Sequence, residues 1–160
     1  MKARIAASVL LAAGLLVGTA GCNLVAPQAT TKHYDASDGV SANLGGVDVR
    51  NAVVISDDGE LGNLVVTLVN TTAETARVTV QYESAGADAT ETVTLKANSS
   101  TQFGQPDGET ITLVDIGTQP GALLPVYFQS GDTDGRELLV PVLTTQLPEY
   151  STLAPEKPRD

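Results

Sequence analysis

The sequence predicts an all-β fold, an immunoglobulin-like antiparallel β-sandwich, preceded by a signal peptide and a flexible tether. Three observations carry that reading. Between Gly39 and Leu147 the apolar residues recur with period two rather than at helical spacing. Turn pairs punctuate the same span at Asp58-Gly59, Ala85-Gly86, Asp107-Gly108 and Asp134-Gly135, and a Gly after Asp supplies the positive φ that tight hairpins need. The span is about 110 residues, close to a small sandwich domain and enough for one modest core.

Lys2 and Arg4 stand before an uncharged run, Ile5 to Ala20, rich in Ala, Leu and Val. A basic segment followed by an apolar one is the pattern of an export signal. The run closes on Thr19-Ala20-Gly21-Cys22, which resembles a bacterial lipobox, with cleavage between Gly21 and Cys22 and a lipid on the new N-terminal Cys22. Cys22 is the one cysteine of the chain. The competing reading is an uncleaved signal anchor, since no charge follows Arg4 until Lys32 and an apolar run of about 20 residues spans a bilayer. Against it, Asn23, Pro27, Gln28 and the Thr-rich stretch beyond make a poor second half for a membrane helix. A buried methylene contributes about 0.8 kcal/mol and stable anchoring takes more than one acyl chain, which a diacylglyceryl group on Cys22 supplies. The expected location is the extracytoplasmic face of the cell membrane, held through that lipid.

Four segments follow: a lipoprotein signal peptide at 1–21, the lipidated Cys and flexible tether at 22–38, the sandwich at 39–147, and a Pro-rich disordered tail at 148–160. The tether is Thr, Ala, Ser, Gln and Asp with little apolar periodicity, and sixteen flexible residues span roughly 20–24 Å. In the tail, Pro148, Pro155 and Pro158 interrupt a polar, charged stretch.

Within the sandwich, Val47, Val49, Val53 and Ile55 are expected on one face of a first strand. Leu64 to Val69 is nearly continuous apolar, as a central strand covered on both sides requires. Val78, Val80 and Tyr82 alternate with Arg77, Thr79, Gln81 and Glu83, the pattern of a half-buried strand. Further strands are expected at 90–96, 99–104, 110–116, 123–130 and 136–143. Pro125 and Pro141 cannot donate to a ladder, which puts their strands at an edge or at a bulge. The span lacks the disulfide and the Trp of antibody domains.

Composition excludes several function classes. The chain has nine Lys plus Arg against nineteen Asp plus Glu. Cleavage after Gly21 removes Lys2 and Arg4, two of the nine cations, and none of the acids, so the mature charge is −12. That charge disfavours nucleic acid and anionic lipid headgroups, and no basic cluster reverses it locally. No disulfide is possible with a single, acylated thiol.

Candidate chemistry is sparse. Asp132-Thr133-Asp134-Gly135 has the opening carboxylates of a calcium loop but no Glu at the far position, so a hairpin turn is the better reading, as it is for Asp57-Asp58-Gly59-Glu60. A weak calcium site at these turns stays open. His33, the single imidazole, stands in the tether, where nothing positions it for catalysis. Ser-His-Asp and Cys-His designs therefore lose their base, and no Gly-rich phosphate loop is present. Asn70-Thr71-Thr72 and Asn98-Ser99-Ser100 match the glycosylation sequon and read as turns. Leu147-Pro148-Glu149-Tyr150-Ser151 lacks the Thr-Gly of a sortase signal. No catalytic residue, metal ligand or cofactor is assigned.

Cys22, then Pro27-Gln28-Ala29-Thr30-Thr31, Tyr34 and Ser37-Asp38-Gly39-Val40, leading into Gly46-Val47-Asp48-Val49-Arg50-Asn51, resembles the start of small actinobacterial lipoproteins. Leu64-Val65-Val66-Thr67-Leu68-Val69-Asn70, a strand ending in Asn before a turn, resembles the early strands of LpqE-like and periplasmic copper-chaperone (PCu(A)C-like) sandwiches. The resemblance implies an exported β-sandwich. The copper chaperones of that shape bind their metal through His and Met, but the mature chain has no Met, and its His lies in the tether. No ligand carries over to any position here.

The expected role is a non-catalytic interaction or accessory module of the cell envelope, with envelope proteins as partners. The alternative is a metal or small-ligand carrier of copper-chaperone shape without the His and Met ligands. A carboxylate-based enzyme is the remaining class, with no motif behind it.

Overall fold

The structure is a computed structural model that describes residues 1–25 and 35–155, with side chains at 1–15 and 35–155. The chain divides into two units, Met1–Tyr34 and Asp35–Asp160. The first holds one helix, α1 (Lys2–Val25). Ala and Leu, its commonest residues, are strong helix formers. Ile5, Val9, Leu10 and Leu11 are exposed and, at 100° per residue, point to different sides, so over the described side chains of residues 1–15 the apolar surface is not confined to one face. Gly21 and Cys22 lie near its C-terminal end, their side chains outside the described residues.

In the second unit the described residues form nine strands: β1 (Val40–Asn43), β2 (Val47–Ile55), β3 (Gly62–Asn70), β4 (Ala76–Ser84), β5 (Ala87–Leu95), β6 (Ser99–Phe103), β7 (Thr112–Leu113), β8 (Leu123–Ser130) and β9 (Arg136–Leu143). They make one curled sheet in the order β5-β4-β8-β9-β2-β3-β6, with β1 on β2 and β7 on β3. The curl turns the β4–β8 part toward the β2–β3 part. Val49, Leu64, Val66 and Leu68 from one side share a single apolar core with Val78, Val80, Tyr82, Val126 and Phe128 from the other. This is the sandwich-like all-β fold that the periodicity predicts. Its ladders are antiparallel with one departure, the parallel pairing of β2 with β9 at Val54–Val142 and Ile55–Leu143.

Three expectations about strands need correction. Val53 and Ile55 do not share a face with Val47 and Val49. The β2–β3 register shifts between Arg50 and Val53, where Asn51 sits at φ 51°. The bulge inserts a residue and reverses the parity beyond it. Val47, Val49, Ala52 and Val54 therefore face the main core, while Val53 and Ile55 face outward into a second cluster with Val65 and Leu153. The strand expected at 110–116 shrinks to two residues, and Asp115 at φ 50° marks the end of the extended run.

The prolines are the third. Their strands are interior, not at the edge: β8 lies between β4 and β9, and β9 between β8 and β2. What each proline needs is one unpaired flank, and each has it. The β4–β8 ladder stops at Val126, one residue short of Pro125. The β2–β9 ladder begins at Val142, one residue past Pro141. Val142 N–H donates to Ala122 O on the β8 side (3.0 Å), so by strand alternation the Pro141 nitrogen points away from β8, to the free flank.

The true edge strand β5 is exposed along most of its length. Glu91 pairs with Val80 and so lies on the inward side of the register, yet it remains exposed. An inward-side charge on an edge strand opposes pairing with another chain.

Of the turn glycines, Gly59 and Gly86 take the positive φ expected of them, at 75° and 82°. Gly135 is needed for a different reason: a β-carbon there would overlap the Tyr127 phenol ring, which packs against its backbone.

Two segment boundaries also move. The tail is not loose as far as it is described. Pro148–Tyr150 is a 3-10 turn, Leu153 is 6% exposed, and Leu153 with Tyr150 covers Val53, Ile55, Val65 and Leu143 on the outer face of β2, β3 and β9. Apolar side chains at 150 and 153 have an apolar surface to bury against, which outweighs the polar composition around them. At the other end, Asp35 and Asp38 belong with the sandwich rather than the tether. The Asp35 carboxylate accepts from Ser41 N–H (3.1 Å) and the Asp38 carboxylate from the Tyr150 hydroxyl (2.7 Å). The tether residues 26–34 and the tail residues 156–160 lie outside the described residues.

Candidate functional site

The motifs singled out in the sequence turn out to hold the fold together. At the β2–β3 turn, Asp58 accepts from the backbone N–H groups of Glu60 (2.9 Å) and Leu61 (3.1 Å) and faces the Ser56 hydroxyl. Those N–H groups, Glu60 first, hold the Asp58 carboxyl below the usual range, and the modest opposing effect of burial does not cancel them. Asp57 accepts from both N–H and hydroxyl of Thr145 (2.9 and 2.6 Å). Both carboxylates are thus engaged as turn clamps.

The Asp132-Thr133-Asp134-Gly135 stretch closes the β8–β9 connection through Thr133 N–H and hydroxyl bonds to Ser130 O (3.1 and 2.7 Å). Among the described residues no three of His, Cys, Asp and Glu converge as they would around a metal ion. His33 lies outside the described residues.

Asn70 is a buried hub rather than an open turn residue. Its amide nitrogen donates to Glu74 O (2.7 Å) and Lys96 O (2.9 Å), and its oxygen accepts from Thr72 N–H (3.0 Å) and hydroxyl (2.8 Å). With four bonds and 1% exposure, the amide is inaccessible to a modifying enzyme. Asn98, exposed at φ 49°, is the turn residue that its sequence position predicts.

The outer face of β8 and β9, which no motif marks, carries exposed large apolar side chains. Register pairs Leu123 with Pro141, Pro125 with Leu139 and Tyr127 with Glu137. Because alternate residues share a face, Leu124, Val126 and Phe128 go to the core and this set goes outward. Leu123 and Leu139 are 53% and 52% exposed. Beside them a cleft of about 650 Å³ runs between the start of β8, the Ala85-Gly86 hairpin and the loop 115–118. Ala85 N–H donates to Asp115 O (3.0 Å), which ties hairpin to loop and fixes that end of the cleft. Pro125 and Tyr127 belong to both patch and cleft. Four exposed carboxylates, Glu83, Asp88, Asp115 and Glu137, line it, and among the described residues no Lys or Arg does.

That arrangement can hold an apolar side chain against Pro125 and Tyr127 and attract positive charge at its rim. Its described lining offers no imidazole, thiol or thioether for nucleophilic or soft-metal chemistry. A second cleft of about 510 Å³ at the other end of the strands is lined by Gly45, Gly46, Thr72 and Thr133, with Glu74 and Arg77 of opposite charge.

A signal for the first site exists in the sequence. Leu123 to Phe128 is apolar at both parities, so one parity had to face outward. Which carboxylates gather beside it depends on β4, the loop 115–118 and β9 meeting in space.

No protein-family model matches the chain, and no curated protein matches it. Among solved structures, a copper-bound PCuAC domain from PmoF2 is similar in fold, with a TM-score of 0.51 at 17% sequence identity, over 66% of this chain and 98% of that one. The similarity covers nearly the whole of that domain and agrees with the PCu(A)C-like scaffold that the early strands resemble.

Proposed function

We propose that this chain is an exported lipoprotein whose copper-chaperone-like sandwich, held at the outer face of the membrane by the lipid on Cys22, works as a non-catalytic interaction module and not as a copper carrier. One observation carries the second half of that reading: from Asp35 to Asp160 the sequence contains no His, Met or Cys. Copper sites draw on those soft and imidazole ligands, so the scaffold here is without the donors that a metal of that kind selects. The anchor is supported by the Thr19-Ala20-Gly21-Cys22 arrangement and by a helix whose described apolar side chains face several directions. Stable retention by a diacylglyceryl group then follows from the area of chain it buries.

The alternative, a metal carrier, draws on the similarity in shape to a copper-bound domain. It would need oxygen donors, which suit hard cations rather than copper.

Two measurements test the proposal. In cells that process lipoproteins, the full-length chain should partition with membranes, and Cys22→Ala or globomycin should leave an unprocessed precursor. Unchanged processing to a soluble form would defeat the anchor. Separately, residues 22–160 carrying Cys22→Ser, incubated with copper and desalted, should retain far less than one equivalent. Stoichiometric retention would establish the carrier instead.

A further inference from the structure

We infer that the outer face of β8 and β9, with the cleft beside it, is a docking surface for a cationic, apolar-bearing segment of a partner protein. The inference rests on the interaction-module reading and names the surface and the chemistry of what it takes.

Single exposed leucines need no explanation, but Leu123, Pro125, Leu139 and Pro141 are two registered pairs on adjacent strands and form one patch. The neighbouring part of the same outer face shows what such a surface requires. There Leu153 and Tyr150 cover Leu143, Val53, Ile55 and Val65. The apolar surface continues along β9 from Leu143 through Pro141 to Leu139, and the described chain covers only its first part. Because β8 and β9 are interior strands, an occupant packs side chain on side chain and does not add as a strand.

Charge selects the occupant. The cleft that shares Pro125 and Tyr127 with the patch carries Glu83, Asp88, Asp115 and Glu137 and, among the described residues, no cation. Arg136, next to Glu137, has the opposite parity on β9 and so points away. Arg77 lies six residues before Glu83, at the far end of β4. A second copy of this chain would bring the same carboxylates and the same net negative charge, −12 over residues 22–160, to the contact, and anionic headgroups would be repelled likewise. The final residues, Glu156-Lys157-Pro158-Arg159-Asp160, include no large apolar side chain. A Lys- or Arg-bearing segment with Leu-type side chains satisfies both halves of the surface at once.

The test titrates a fluorescein-labelled synthetic peptide of alternating Leu and Lys into ¹⁵N-labelled chain, residues 22–160 with Cys22→Ser. Amide shifts should concentrate at 81–88, 123–127 and 137–141. Affinity should fall about tenfold in the Leu123→Ser/Leu139→Ser double variant, whose unchanged melting curve would show the fold intact. Glu137→Lys should weaken binding severalfold and flatten its salt dependence, and a Leu-Glu peptide should not bind.

Shifts spread over the acidic surface and indifferent to the Leu substitutions would reduce the effect to general charge attraction and overturn the proposal. Concentration-dependent shifts at the patch without peptide would make a second copy the occupant. Patch shifts that change when residues 26–34 are deleted would make the chain's own Lys32-His33-Tyr34 segment the occupant. None of these outcomes depends on the copper or processing measurements, so either proposal can fail alone.

Discussion

The Asn63 side-chain amide donates to the carbonyl of Leu153 (3.1 Å), ninety residues further along the chain, and also to Gly104 O (2.9 Å). Asn63 is 3% exposed and lies in β3. One buried amide group therefore joins a central strand, the residue following β6 and the C-terminal segment. Both its N–H donors are used, while its oxygen has no hydrogen-bond partner among the described residues. The arrangement holds Leu153 over Val53, Ile55 and Val65.

Removing that amide should be costly, because two carbonyls in a buried setting lose their donors together. Asn63→Ala is expected to destabilise the sandwich by about 2 kcal/mol, read as a lower urea midpoint with an unchanged slope. Asn63→Asp, nearly the same size but without the two donors, should not restore it.

Leu153→Ala tests whether the C-terminal segment belongs to the fold. With most of the side chain buried on an apolar face, the substitution should cost about 2 kcal/mol and make the chain after Leu147 susceptible to limited proteolysis. A neutral result would return residues 148–155 to the status of a loose tail.

The Tyr127 ring lies against the backbone of Gly135, with no room for a β-carbon there. Gly135→Ala should destabilise by about 1–3 kcal/mol through the overlap. Combining it with Tyr127→Ala should recover part of that loss, so that a double-mutant cycle in urea gives a coupling well away from zero.

Tyr150 should make stability fall at high pH. Burial, then its hydrogen bond to Asp38, then the negative charges of Asp38 and Glu149 push its phenol up to about 12. The fold therefore favours the neutral phenol. Its contribution is complete below the ordinary tyrosine value of about 10 and is lost as pH rises from there through about 12. The melting temperature should fall more over that range in the wild type than in Tyr150→Phe, which keeps the packing but has no proton to lose. Parallel curves would rule the contribution out.

Much of the fold was legible because a β-strand prints its buried face directly into the sequence at every second residue. Val78, Val80 and Tyr82 reach the core where alternation puts them, and Leu64 to Val69, apolar but for Thr67, lies in an interior strand buried on both faces over Leu64–Val66, as its nearly continuous apolar run implies. Gly86 supplies the positive φ of its hairpin. The basic start, the apolar run and the position of Cys22 are likewise properties of the linear chain, and the anchoring proposal rests on them.

Tertiary structure decided the rest, wherever a residue's environment comes from chain far away in sequence. Nothing near Asn51 announces a bulge, yet the ladder with β3 absorbs an extra residue there and sends Val53 and Ile55 to the opposite face. That reversal creates the outer apolar surface on which Leu153 packs, which is why a segment that reads as a polar tail is ordered as far as Pro155. Pro125 and Pro141 announce only a missing donor, and where neighbouring ladders stop determines that interior strands accommodate them. The carboxylates of the cleft come from β4, β5, β9 and the loop 115–118. Local periodicity records which way a side chain points, but proximity between distant segments arises only when the sheet curls and closes its core.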